Sequence, residues 1–496
     1  MSTNRLSSLT LSSKKLTPSS VTPTPTPPTP WVRPIDWLAL PVLTDTDQQF
    51  TGLYQVTDDD SCACAFIAAG AYTVDWGDGT TDNYTTGATA EHFYTYSNVN
   101  LGAVTSGGWK QALVTITPQA GSNLTSLNFG VRATGFNTVY STGWVDVVVA
   151  SAFLTSFGFY STLVVARNLE KATIVKDNLT TAWAMFYDCV SLQSVELLDL
   201  SSLTDASYMF YDCYSLQTVP LFNLSAVTNA TYMLNSCYSL QTVPLFDLSS
   251  LTNASHMFNS CYSLQSVPLF DLSSVTNASS MFYNCITLPS VPLFDLSSLT
   301  VASYMFQNCY SLQSVPLFDL SAVTYMGYMF QYCHSLHTVP LFNLSAVGHT
   351  DFMLSGCRSL QSVPLFDLGA ATYIYGMFYD CYSLQSVPLF DLGAANEASY
   401  MFQGCYSLQT VPTFNLSSVA NVTGMFNNCY SLSSGVVNNI STSIGYMNCR
   451  LSATALNDIY TALPTVVGKT ITVSGNWGVA TDDPTIATAK GWTVTG

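Results

Sequence analysis

Eleven cysteines stand 24 residues apart, at Cys189, Cys213, Cys237, Cys261, Cys285, Cys309, Cys333, Cys357, Cys381, Cys405 and Cys429. Thiols at a fixed spacing could bridge, hold a metal or attack a substrate. Pairwise bridging leaves one of the eleven over. A metal centre needs closely spaced ligands; no Cys-x-x-Cys occurs, and His92, His256, His334, His337 and His349 follow no period. Nor do these histidines keep a constant carboxylate or nucleophile partner, and no Gly-x-Ser-x-Gly, His-Glu-x-x-His or P-loop pattern is present. The chain therefore reads as non-enzymatic, with no cofactor and no metal. The remaining reading is a structural ladder: equivalent inward positions on stacked turns, where a free cysteine packs as a small hydrophobe. Cys62 and Cys64 stand outside the ladder, and their spacing leaves their state open.

A period of this length marks one small supersecondary unit stacked on copies of itself. A representative unit is MFYDCYSLQTVPLFNLSAVTNATY, Met209 to Tyr232. Leu216, Val219 and Leu221 are read as the inward positions of a short strand. Ala206, Phe210 and Cys213 fall at i, i+4 and i+7 and are read as one face of a short helical return. The expected fold is a β-rich α/β solenoid, a parallel-strand array with helical returns. Eleven units at ~4.8 Å each would run on the order of 50 Å.

The rest of the chain divides by composition. Residues 1–35 are a flexible tail with Arg5, Lys14 and Lys15, followed by a stiff Pro/Thr linker. Residues 36–118 carry alternating strand patterns. Residues 119–449 hold the repeats, degenerate over 119–184 and regular over 185–449. Residues 450–496 leave the period with helix, strand, helix and strand signals, as the atypical end unit of an array should.

Two resemblances follow from motifs. Trp76-Gly77-Asp78-Gly79, followed by His92 and Tyr94, resembles the turn and strand of PKD-like β-sandwiches, modules that act as spacers or adhesive domains. Asp78 is read there as a turn-capping carboxylate rather than a cation ligand. Met257-Phe258-Asn259-Ser260-Cys261-Tyr262-Ser263-Leu264, recurring along the array, resembles the BspA-like branch of leucine-rich repeats. The end unit is similar to the tails that close such repeats in phage and bacterial surface proteins. The resemblances imply a leucine-rich-repeat solenoid between a PKD-like β-sandwich and a C-terminal α/β cap.

Net charge is −17, and Arg358 is the sole basic side chain between Asp177 and Cys449. Phosphate backbones need Lys and Arg to displace counterions, so nucleic acid is excluded as a partner. No apolar run approaches the ~18 residues of a membrane helix, so membrane insertion is not expected. The N-terminus lacks the apolar core of a Sec leader, which points to another export route or to release within a particle.

Comparison among the copies selects candidate surfaces. Phe222, Phe246, Phe270, Phe294 and Phe318 occupy outward strand positions and form either an apolar binding stripe or, the better reading, a covered strand-to-turn corner. Tyr214, Tyr238, Tyr262 and Tyr310 follow the cysteines and are either binding contacts or stiffening stacks. The column Asp247, Asp271, Asp295, Asp319, Asn343, Asp367, Asp391 and Asn415 is read as Asx turns, with Ca²⁺ binding the alternative. The resulting expectation is an adhesion or recognition protein on a virion surface, as head fibre, decoration or tail receptor binder. Arg5, Lys14 and Lys15 would anchor it to capsid or tail proteins, and the solenoid would meet a host glycan or protein. A bacterial cell-surface adhesin and a purely structural shell protein are the alternatives, and a homo-oligomer is compatible with each.

Overall fold

The structure is a computed structural model that describes residues 31–58, 62–98, 100–135, 140–161, 164–196 and 200–496. The proposed anchor residues Arg5, Lys14 and Lys15 lie outside the described residues.

Seven strands form one sheet, in the order Ser194–Glu196, Lys171–Lys176, Trp144–Ala150, Gln49–Val56, Lys110–Pro118, Tyr72–Asp75 and Thr81–Tyr84. Gln49–Val56 pairs antiparallel with both neighbours, whereas Trp144–Ala150, Lys171–Lys176 and Ser194–Glu196 run parallel. Antiparallel pairing thus gives way to parallel stacking inside a single sheet, and the sheet crosses the 118/119 boundary. A second sheet orders Ser156–Gly158, Ser126–Asn128, Ala63–Ala69 and Thr89–Phe93. Aromatic rings join the two layers: Phe66 lies 5.7 Å from Trp76, and Phe129 lies 4.6 Å from Phe50. Arg33 bonds the buried carboxylate of Asp146 at 2.6 Å, fastening the segment before the first strand to this sheet.

Beyond residue 200 the chain is a parallel β-solenoid. A bridge ladder climbs one coil at a time through Thr181, Asp205, Asn229, Asn253, Asn277, Val301, Tyr325, His349, Tyr373, Glu397 and Asn421. It continues from Val422 to Ile444, Ile471 and Val494. One hydrophobic core runs the length of the array. Helices occur at Ala453–Ala462, N-capped by Ser452, and at Thr485–Thr488. No helix among the described residues is long and apolar enough to cross a membrane.

The expected helical returns are not helices. Residues 206–213 form chained turns. Met209, Tyr211 and Cys213 donate to Ala206, Tyr208 and Phe210 of their own coil. Between them, Ala206, Tyr208, Phe210 and Asp212 donate to Asn229, Thr231, Met233 and Asn235 of the next. Every amide from 208 to 213 is thereby satisfied, as buried backbone requires. The geometry needs a left-handed residue in each turn, at Tyr208 (φ 59°) and Asp212 (φ 60°). A helix would keep all its N–H groups to itself; these turns spend every second one on the neighbouring coil.

The strand expectation is also displaced. Among the described residues, no strand forms between Ser194–Glu196 and Phe414–Asn415. Proline at each coil (Pro220, Pro244, Pro268 and onward) has no N–H to give. The N–H two residues on is consumed locally: Phe246 donates to Pro244 O at 2.9 Å, and Phe270, Phe294, Phe318, Phe342, Phe366 and Phe390 repeat the bond. This is an inverse γ-turn centred on the leucine.

Candidate binding surface

The γ-turn breaks the two-residue alternation and so reverses the expected faces. Val219 stays inward, but Leu221 turns out and Phe222 turns in. Phe222, Phe246, Phe270, Phe294 and Phe318 are about 1% exposed and cannot meet a ligand. They stack on one another, Phe270–Phe294 at 6.3 Å, and on the inner ring of each coil, Phe282–Phe294 at 6.1 Å. The covered-corner reading holds, and their alternative assignment as ligand contacts is corrected to core. The side chain read as inward, Leu221, is 68% exposed, and Leu245, Leu269, Leu293, Leu317, Leu341, Leu365 and Leu389 are 56–59% exposed. Eight leucines, one per coil, thus form an apolar ribbon between half-buried prolines and an acidic column. The sequence carries the signal in its Pro-Leu-Phe triplet, since proline fixes the turn and the phenylalanine has a partner ring on both sides.

The acidic column is a row of Asx turns. Asp247 Oδ1 accepts from Ser249 N at 3.1 Å, and Asp271, Asp295, Asp319, Asp367 and Asp391 repeat the bond. Asn343 and Asn415 make the same contact, so the negative charge is dispensable to the turn. Hydrogen bonds from Ser249, Ser273 and Ser321 hold Asp247, Asp271 and Asp319 below the usual carboxylate range. No cluster among the described residues has the make-up of a metal centre.

The eleven thiols are fully buried and free. Ten of them donate to a carbonyl of the preceding coil, from Cys213 to Phe186 O at 3.2 Å through Cys429 to Phe402 O at 3.1 Å. The column therefore works as a row of donors as well as a filler of space. Burial pushes these thiols well above their ordinary value, which removes the thiolate that attack or metal binding requires. Cys64 is buried, and Cys62 is partly buried against Thr57.

The tyrosines form a stack. Tyr214–Tyr238 and Tyr238–Tyr262 lie 4.5 and 4.6 Å apart and nearly parallel. Ile286 interrupts the row; Tyr310 then stacks on His334 at 4.8 Å, and Arg358 lies 5.1 Å over Tyr382. Ring faces are spent on neighbouring rings, leaving edges and hydroxyls to solvent.

Asp78 has a full set of partners. Its Oδ1 accepts from Thr80 N (3.1 Å) and Oγ1 (2.6 Å), and Oδ2 lies 2.9 Å from His92 Nε2. Burial works to raise its carboxyl, but the bonds from Thr80 and His92 outweigh this and hold it low. His92 stacks on Trp76 at 4.8 Å, and Tyr94 Oη donates to Trp76 O. The motif residues thus organise a turn, as read from the sequence.

Among solved structures, the chain is similar to a leucine-rich repeat protein from Eubacterium ventriosum, with 16% identity and a TM-score of 0.35 over 57% of this chain and 90% of that one. It is also similar to the T. pallidum leucine-rich repeat protein TpLRR, with 18% identity and a TM-score of 0.24 over 56% of this chain and 90% of that one. No curated protein matches the chain. A family described as "Mycoplasma protein of unknown function, DUF285" matches residues 180–292, 264–364 and 337–439, a span of 180–439 that takes in more than half of the sequence. The chain belongs to this DUF285 family.

Proposed function

We propose that the chain is a non-enzymatic recognition protein whose solenoid binds a protein partner through the leucine ribbon. The observation that carries the reading is the register of Leu221, Leu245, Leu269, Leu293, Leu317, Leu341, Leu365 and Leu389, each more than half exposed on one face. Contiguous apolar patches of this extent mark interaction surfaces in soluble proteins. A protein surface fits the ribbon better than a glycan does. Sugars stack on free aromatic faces, and the tyrosine faces here are occupied by their neighbours.

The finer assignments belong to the same proposal. The leucine-rich repeats are of the BspA-like type, residues 36–118 are a PKD-like spacer, and residues 450–496 close the last coil as a cap. The protein sits on a virion surface, or alternatively a bacterial cell surface, attached through Arg5, Lys14 and Lys15. Mass spectrometry of purified particles and of intact cells tests the location; absence from both defeats it. The ribbon itself is tested by applying tagged full-length chain to cells and to blotted surface extracts, as wild type and as the Leu269→Ser/Leu293→Ser/Leu317→Ser variant. Binding is expected to be lost in the variant. Undiminished binding removes the ribbon as the recognition surface.

A further inference from the structure

The ribbon also constrains what can cover it. At roughly 100 Å² per half-exposed leucine, its eight leucines present on the order of 800 Å², the share one partner brings to a standard interface. That exceeds the largest apolar patch a typical monomer leaves bare, about 300–600 Å². Successive leucines sit one coil apart, about 4.8 Å at strand spacing. A helix repeats every ~5.4 Å per turn, and one face of an extended strand every ~6.8 Å. Either partner slips by half a repeat within about four coils, so neither packs against all eight leucines. A surface of equal period stays in phase along its whole length, and this chain carries one.

We propose that the leucine ribbon pairs with the ribbon of a second copy of this chain, side by side, parallel and in register. The proposal rests on the preceding reading of the ribbon as a protein-binding surface and names its occupant. Charge sets the direction. Each coil crosses the face in the order Ser290, Leu293, Asp295, then Ser314, Leu317, Asp319, with the outer two exposed in each case. A two-fold axis along the solenoid reverses this order in the partner, laying each aspartate column against a serine and threonine column. A two-fold axis across the solenoid would instead lay the two acidic columns against each other antiparallel, with Asp247 opposite the partner's Asp367 and Asp295 opposite the partner's Asp319. Like charges directly opposed are destabilising, and Arg358 is the sole basic side chain between Asp177 and Cys449 to offset them. The parallel arrangement brings every leucine to its own counterpart, so Leu221 meets Leu221 and Leu389 meets Leu389.

Sedimentation of the full chain is expected to give twice the monomer mass of 53.7 kDa. The Leu293→Asn/Leu317→Asn variant is expected to weaken the dimer at least tenfold while keeping the circular dichroism of the wild type. Leu221→Cys and Leu389→Cys are then oxidised separately and as an equimolar mixture, with wild type as the control for native thiols. The parallel dimer gives disulfide-linked dimers from each variant alone. Cross-linking in the mixture only shows an antiparallel pair and overturns the arrangement. A monomer at 100 μM, or a dimer indifferent to Leu293→Asn/Leu317→Asn, overturns the pairing itself. A monomer whose cell-surface binding still depends on the ribbon leaves the proposed function standing without the dimer. A ribbon-dependent dimer whose cell-surface binding survives the leucine substitutions does the reverse.

Discussion

Leu293 and Phe294 are chain neighbours with opposite environments, and truncating each in turn tests the γ-turn that separates them. Phe294 is 1% exposed and lies 6.1–6.3 Å from the rings of Phe270, Phe282 and Phe318. Phe294→Ala removes a ring from a continuous column whose neighbours are held by their own coils, so the site cannot collapse. The expected cost is about 3–5 kcal/mol. Leu293 is 57% exposed, so less than half of the ~2 kcal/mol of a fully buried leucine is at stake, under about 1 kcal/mol for Leu293→Ala. The two are compared by urea unfolding at sub-micromolar concentration, where copies do not share the face. Hydrogen exchange of Phe306 N–H, which bonds Met329 O across coils, reads the same loss locally. Equal costs for the two variants, or a larger one for Leu293→Ala, would refute the assignment of leucine to the surface and phenylalanine to the core.

Three further outcomes follow from the packing. Ellman's reagent should leave the ladder thiols untouched in the native protein up to about pH 9, because burial holds them protonated, and reach all 14 cysteines after denaturation; Cys62 should react first. Arg33→Ala leaves the buried Asp146 carboxylate without its cation and should cost about 3 kcal/mol at pH 7. Burial raises the Asp146 carboxyl while Arg33 lowers it, so the variant binds a proton more tightly when folded. Its deficit should shrink as pH falls through the folded value, and urea midpoints between pH 7 and 4 check the sign. Gly376 (φ 56°) would place a Cβ 2.5 Å from the Phe352 ring, so Gly376→Ala should lower the unfolding free energy by about 1–2 kcal/mol. Asn308→Gly, at an equally left-handed position (φ 61°), should change it by less than about 1 kcal/mol.

The period, the burial of Cys213 and Phe210 and the turn role of Asp78 were legible because each rests on spacing or on one residue's own chemistry. The return was misread because Ala206, Phe210 and Cys213 fit helical spacing and chained turns equally well. The distinguishing signal lay just before eight of the eleven cysteines, where Asp188, Asp212, Asn284, Asn308, Gly356, Asp380, Gly404 and Asn428 are residue types that tolerate positive φ. Leu221 was misplaced for a different reason. Alternation holds only while the backbone stays extended, and the three-residue turn that the following coils make, as at Pro244–Phe246, shifts the phase by one. The tyrosine stack shows a third limit: the column was visible in the sequence, but whether the rings face solvent or each other depends on the coil spacing.

Each thiol from Cys213 to Cys429 reaches back one coil, and each chained turn reaches forward one, so no bond of this kind joins coils further apart. A whole coil can therefore be inserted or deleted between Cys213 and Cys429 with both cut ends finding the neighbours they had before. Related chains are free to differ in reach by whole steps, and unequal crossing-over between near-identical repeats supplies the means.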